Sequence, residues 1–63
     1  MSETSQQILD AIEAWKVEDG KFANGNNAAG TRARKALQEI TKLAKTRRAE
    51  ITEVRNERKA EKT

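Results

Sequence analysis

The sequence predicts an all-α protein: a two-helix hairpin with a long second helix, which assembles into a coiled-coil dimer or a four-helix bundle. Proline is absent, all three glycines lie between positions 20 and 30, and apolar residues recur at spacings of three and four on both sides of that window. We expect a single domain over residues 1–63. Its predicted parts are helix 1 over about 5–23, a turn over about 24–27, helix 2 over about 28–58, and a frayed C-terminus over 59–63.

Helix 1 carries a start signal at Thr4, followed three residues later by Gln7 as in a capping box. Its end is ambiguous, because Gly20 could stop it. A stop there would place two acidic residues at the negative end of the helix dipole. We therefore favour a helix that continues to Phe22–Asn24 with Gly25 as its cap, at a cost of about 1 kcal/mol for the internal glycine. The predicted core residues of this helix are Ile8, Ile12, Trp15 and Phe22.

Helix 2 carries an apolar stripe whose spacing alternates between four and three, as in a coiled coil of about three heptads. Helix 1 is too short to cover the whole stripe, so its far end is predicted to pack on a second chain. Arg47 interrupts the stripe. Either its stem packs while its charged end reaches solvent, or it has a specific role in setting the register. The predicted stripe consists of Ala33, Leu37, Ile40, Ala44, Arg47, Ile51 and Val54, with Ala36 and Leu43 flanking it.

Charge is unevenly distributed along the chain. The net charge is +3, but residues 1–24 carry −3 and residues 25–63 carry +6. On helix 2, glutamates fall on one flank of the apolar stripe and basic residues on the other. Such a basic stripe suits a polyanion, although it could instead pair with the acidic flank of a partner helix. The basic flank comprises Arg34, Lys45, Arg48, Arg55 and Lys59, with Lys35 and Lys42 farther round the helix.

The turn is the second candidate contact with an anion. Gly25, Ala28, Ala29 and Gly30 are small, so a phosphate could approach closely here. The free amide groups and partial positive charge at the start of helix 2 favour such an anion. Alternatively, Gly25 and Asn27 only make a tight hairpin, and the small residues let two helices meet closely; for the glycines we favour this alternative. For the residues that follow we favour the phosphate interpretation. The predicted nucleic-acid-binding residues are Thr31, Arg32, Arg34, Lys35, Lys42, Lys45, Arg48, Arg55 and Lys59.

Several functions are disfavoured by what the composition lacks. Without cysteine or histidine there is no thiolate–imidazole zinc site and no Ser–His or Cys–His pair, so we predict no enzyme, no metal and no cofactor. No apolar run approaches the roughly 20 residues that span a bilayer, and the first residues do not resemble a signal peptide. We therefore expect a cytoplasmic protein with no membrane partner. Because Trp15 and Phe22 are assigned to the core, nucleic-acid binding should rely on phosphate contacts with little sequence specificity.

The stretch Gly25–Lys35, followed by Leu37-Gln38-Glu39-Ile40 and Leu43-Ala44-Lys45, resembles the linker-histone-like nucleoid proteins of chlamydiae and other bacteria. The similarity covers roughly residues 21–58 and is most specific at the turn and Thr31-Arg32-Ala33-Arg34-Lys35. It implies a protein that condenses or organises a bacterial chromosome. Members of that family typically continue into a tail rich in lysine and alanine, which is not found here. Either the helical domain binds DNA by itself, or it keeps the self-association of the family and has another role.

Two functions are therefore carried forward. The first is a small histone-like, nucleoid-associated protein of a bacterial cell or phage-infected host, which dimerises, binds double-stranded DNA through phosphates, and bridges or compacts it. The second is a helical adaptor or inhibitor that binds a protein partner, with the basic stripe against an acidic surface. Sorted charge favours the first function. The modest net charge and the missing tail favour the second.

Overall fold

A computed structural model describes residues 2–61, with side chains for 2–59, as two helices packed antiparallel. Helix α1 spans Glu3–Ala23 and helix α2 spans Asn27–Glu61. The molecule is a rod of 57 × 17 × 13 Å. The predicted all-α hairpin with a longer second helix is confirmed. Helix α2 continues through Glu61, beyond the predicted end near residue 58, and the last part of the predicted frayed segment, residues 62–63, lies outside the described residues.

Helix α1 begins earlier than the capping-box signal predicts. Its N-cap is Ser2, whose side-chain oxygen accepts a hydrogen bond from the Ser5 amide at 3.0 Å. Thr4 lies in the first turn and is 9% exposed, because its side chain packs against α2. The prediction of Thr4 as the cap was therefore wrong. A serine with an extended backbone two residues upstream satisfies the free amides instead.

The turn between the helices is built by Asn24, Gly25 and Asn26. The Asn26 amide donates to the Lys21 carbonyl at 3.1 Å and the Gly25 amide to the Phe22 carbonyl at 2.9 Å. This pair of bonds is a Schellman motif, which requires a left-handed residue. Gly25 supplies it with a φ of 103°. Helix α1 thus runs through Gly20, as the longer alternative predicts, and the Asn26 side chain caps α2 by accepting from the Ala29 amide at 3.1 Å.

The surface of α2 that packs on α1 is lined mainly by small residues near the turn. Ala29 and Ala33 are the buried apolar residues, at 0% and 6% exposure, and no side chain of the described residues is both large and fully buried. The half-buried positions of α2 continue at alternating spacings of three and four. We call this surface the hairpin seam; on α2 it consists of Ala29, Ala33, Ala36, Ile40, Leu43, Arg47 and Glu50.

The hairpin seam is rotated relative to the stripe predicted from the sequence. Ala33, Ile40 and Arg47 belong to both, but Leu37 and Ile51 are each 45% exposed and lie to one side. Alanines explain the rotation, because their small side chains let two helices approach closely and leave the larger residues at the edge. The predicted stripe therefore combines residues of two surfaces. Ala33, Ile40 and Arg47 face the inside of the hairpin, whereas Leu37 and Ile51 lie outside it.

Helix α2 projects beyond α1. The start of α1 meets α2 at Glu50, through a hydrogen bond from Thr4, so residues 51–61 extend past it. Eleven helical residues span about 16 Å. We call this segment the overhang. Over the described range, neither helix contains a stretch apolar enough to cross a membrane.

Candidate nucleic-acid interface

One side of α2 presents cations and uncharged polar residues without a carboxylate. Positions seven residues apart form columns along a helix. Two neighbouring columns, on the far side from the hairpin seam, contain no acidic and no apolar residue. We call them together the basic stripe; they consist of Arg34, Thr41, Arg48 and Arg55, and of Thr31, Gln38, Lys45, Thr52 and Lys59.

All nine side chains of the basic stripe are exposed. The hydroxyl groups of Thr41 and Thr52 donate to carbonyl groups one turn earlier in their own helix, at 3.0 and 3.1 Å. The five cations therefore provide most of the hydrogen-bond donors on this surface. The predicted binding residues Lys35 and Lys42 are also exposed, but they occupy the next column round the helix. They extend the positive surface away from the apolar residues.

The cations of α2 differ in whether they have an acidic partner. Within residues 2–59 three ion pairs occur: Lys16–Glu13 at 3.9 Å, Arg32–Glu18 at 2.8 Å and Arg47–Glu50 at 3.0 Å. None of them involves a member of the basic stripe, Lys35 or Lys42. Arg32, grouped by the sequence with the phosphate contacts, instead donates its Nε–H to the Glu18 carboxylate on α1.

The glycines beside this surface have a packing role. An ideal Cβ built on Gly30 would lie 2.6 Å from Cδ1 and 2.8 Å from Cε1 of Phe22, far inside contact distance. The Phe22 ring therefore rests directly on the Gly30 backbone. Gly25 is fixed by its positive φ. These two observations favour the interpretation that the glycines shape the hairpin, whereas Thr31 and Arg34 remain exposed where α2 begins.

The residues predicted to form the core or oligomer contacts fall into two groups. Those that face the hairpin seam or its edge are half-buried: Ile8, Ile12, Trp15, Ile40 and Ala44. The others are exposed by 39–50% and lie on the edge and the overhang: Phe22, Leu37, Ile51 and Val54. We call the surface formed by Phe22, Leu37, Ala44, Ile51 and Val54 the apolar ribbon. On α2 it adjoins the basic stripe.

A polar cluster that was not predicted from the sequence joins the start of α1 to the middle of α2. The Thr4 hydroxyl donates to Glu50 Oε2 at 2.7 Å, and Arg47 donates to Glu50 Oε1 and to Ser2 Oγ, both at 3.0 Å. These hydrogen bonds hold the pKa of the Glu50 carboxyl below its ordinary 4.5, that from Thr4 having the largest effect. Arg47 thus makes a specific contact between the helices, which favours the register-setting alternative.

This polar cluster contains no feature that a sequence pattern could reveal. Thr4 and Glu50 are 46 positions apart, and each is an ordinary residue for a helix surface. The cluster anchors the N-terminal end of α1 on α2, and it therefore fixes the point at which the overhang begins. Among the described residues, no group of three or more acidic side chains is placed to hold a metal ion.

Most of the chain is similar in sequence to one known protein family. The model of a family described as "Histone H1-like protein Hc1" matches residues 2–57. That match covers α1, the turn and α2 through the first part of the overhang. No curated protein and no solved structure matches the sequence at a significant level.

Proposed function

The chain belongs to the histone H1-like Hc1 family, and from that premise we propose that it binds double-stranded DNA through phosphate contacts with little sequence specificity. The observation that carries the proposal is the basic stripe. Five cations follow one side of α2, from Arg34 to Lys59, and no carboxylate interrupts them. They span 25 positions, or about 38 Å of helix.

Phosphates are the part of DNA that this surface suits. Duplex DNA carries one negative charge per roughly 1.7 Å of its axis, and a cation that neutralises a phosphate releases a condensed counterion. The stripe is a row of separate cations on long side chains rather than a compact recognition helix that enters a groove. Contacts of this kind position a protein on DNA without reading its bases.

The members of the predicted site contribute unequally in this proposal. Arg34, Lys45, Arg48, Arg55 and Lys59 form the primary contact. Thr31, Lys35 and Lys42 border it and contribute less to binding. Arg32 stands apart, because its guanidinium is already paired with Glu18.

Self-association is the second part of the proposal. Among residues 2–59, the buried apolar residues are two alanines, so the hairpin has little internal core. Chains of this size commonly obtain stability from oligomerisation. We assign the apolar ribbon to contact with a second copy, since Leu37 and Ile51 are each 45% exposed and lie in one column. Two copies of a +3 chain carry +6 and present two basic stripes, which would bridge or compact DNA in the nucleoid of a bacterial cell or phage-infected host.

The experiment is a titration of the protein into a fluorescent duplex of unrelated sequence, followed by anisotropy at several salt concentrations. We expect micromolar or tighter binding at low salt that weakens steeply as salt rises and changes little with sequence. Arg34→Ala should lower the salt slope by about one and weaken binding to all sequences alike.

Arg32→Ala is the matched control for Arg34→Ala. It removes the same charge from the same helix two positions away, but its guanidinium is paired with Glu18 at 2.8 Å. We expect a smaller change of slope. Equal slopes for the wild type and Arg34→Ala would contradict the assignment of the basic stripe. No binding at low salt would favour the alternative function, an adaptor that binds a protein partner.

A further inference from the structure

The basic stripe and the column beside it contain a similar arrangement at two places. One shallow groove near the turn is lined by Thr31, Arg34, Lys35 and Gln38, and another on the overhang is lined by Thr52, Arg55, Asn56 and Lys59. Each member of the second group lies 21 positions after its counterpart in the first. Both groups contain a threonine and an arginine three positions later. Each also has a second cation, at different positions: Lys35 in the first group and Lys59, the counterpart of Gln38, in the second. We call them the proximal and distal clusters.

The separation of the clusters is close to the pitch of B-form DNA. Twenty-one residues are three heptads, so the two clusters lie on the same side of α2. At 1.5 Å per residue they are about 32 Å apart. One turn of the duplex, measured along its axis, is about 34–36 Å or 10–10.5 base pairs. The reach of arginine and lysine side chains is enough to absorb the difference.

The middle of the stripe fits the same geometry. A straight rod laid along a duplex meets one strand twice, one turn apart, and crosses the other strand in between. Lys45 and Arg48 lie between the clusters, about 17 and 21 Å from Arg34. Both are exposed. The narrow dimensions of the molecule, 17 and 13 Å across, allow it to lie along the duplex in this way.

We propose that α2 lies along the axis of B-form DNA over one helical turn. The proximal and distal clusters contact phosphates of one strand on successive turns, and Lys45 and Arg48 contact the other strand. This inference rests on the proposed function and adds an orientation and a footprint to it. The overhang has a defined role in this arrangement, because Arg55 and Lys59 of the distal cluster belong to the part of α2 that projects past the N-terminal end of α1.

The test uses duplexes of about 16 base pairs in which most phosphates are replaced by neutral methylphosphonates. Two blocks of about three phosphates remain on one strand. Their centres are about 10 base pairs apart in one duplex and about 5 apart in the other. Both duplexes carry the same charge, but only the first presents its two blocks on one face. A fully charged duplex of the same sequence is measured beside them.

We expect the wild type to bind the duplex with the 10-base-pair spacing about tenfold more tightly. On the duplex with the 5-base-pair spacing, one cluster cannot reach the charged block and its two exposed ion pairs are lost. Each lost pair weakens binding by a factor of roughly two to five. The double variant Arg55→Ala/Lys59→Ala lacks the distal cations and should bind both duplexes alike. Lys16→Ala/Lys21→Ala removes the same charge at two exposed positions of α1, outside both clusters, and it should retain the preference. Circular dichroism checks that each variant is helical.

Equal affinity of the wild type for the two spacings would overturn this inference and leave the proposed function intact, provided that the fully charged duplex is bound. A preference for the 5-base-pair spacing, or binding of the fully charged duplex alone, would overturn it as well. Failure to bind the fully charged duplex would remove the proposed function itself.

Discussion

A methyl group added at Gly30 tests whether Phe22 packs on the backbone of α2. In a helix, replacing an internal glycine by alanine stabilises the folded state by about 1 kcal/mol. Gly20 is the reference position, since a Cβ there would meet nothing within 4 Å. We expect Gly20→Ala to raise the free energy of unfolding by that amount.

The same substitution at Gly30 adds a cost. The new Cβ would lie 2.6 Å from Phe22 Cδ1, so the ring must move off α2. Phe22 is 50% exposed, and full burial of such a side chain contributes about 1.5–3 kcal/mol. Displacement therefore forfeits roughly 1 kcal/mol. This loss cancels the gain in helix propensity, and Gly30→Ala should leave stability nearly unchanged.

Urea unfolding measures the difference, with circular dichroism and the fluorescence of the single tryptophan, Trp15, as probes. Protein concentrations must be identical, because the proposed self-association would raise the apparent stability. In a Phe22→Ala background the conflict is absent, and Gly30→Ala should recover a gain of about 1 kcal/mol. A gain at Gly30 equal to that at Gly20, with Phe22 present, would refute the proposed packing.

Two further predictions concern the polar cluster and the apolar ribbon. The pKa of Glu50 is lower in the folded chain, so its contribution to stability is present above the unfolded value of 4.5 and is lost as pH falls through the folded pKa. Urea midpoints of the wild type should fall with acidification below pH 4.5 more steeply than those of Glu50→Gln or Thr4→Val; parallel curves would contradict this. Ile51→Asp should raise the dimer dissociation constant at least about tenfold in sedimentation equilibrium. Val17→Asp, also at an exposed apolar residue but outside the ribbon, should change it little, and equal effects would contradict the assignment.

The architecture of this chain could be predicted because its signals are local. The residues that build the turn, above all Gly25 with its positive φ, are adjacent in the sequence. The length and type of the helices follow from the absence of proline and from the apolar spacing. An error of two residues at the start of α1 arose because both Ser2 and Thr4 are suitable caps, and only packing against α2 distinguishes them.

The orientation of the helices about their axes could not be predicted. Periodicity locates apolar residues but does not say which of two adjoining columns faces the neighbouring helix. Leu37 appears central in the sequence, yet alanines form the closest contact and leave it at the edge. Pairs such as Arg32–Glu18 depend on the same rotation. The basic stripe was easier to predict, since sorting of charge round one helix requires no knowledge of its partner.

The overhang has a consequence for local stability. Every side chain of residues 51–59 is exposed. A helical segment of about this length is marginal in water without packing against a neighbour. Opening of this segment should therefore require far less free energy than global unfolding, and its amides should exchange with solvent faster than those opposite α1. A ligand that holds the distal cluster must order this segment as it binds. Slowed exchange confined to α2 beyond Glu50 would then mark occupancy of the overhang separately from the stability of the hairpin.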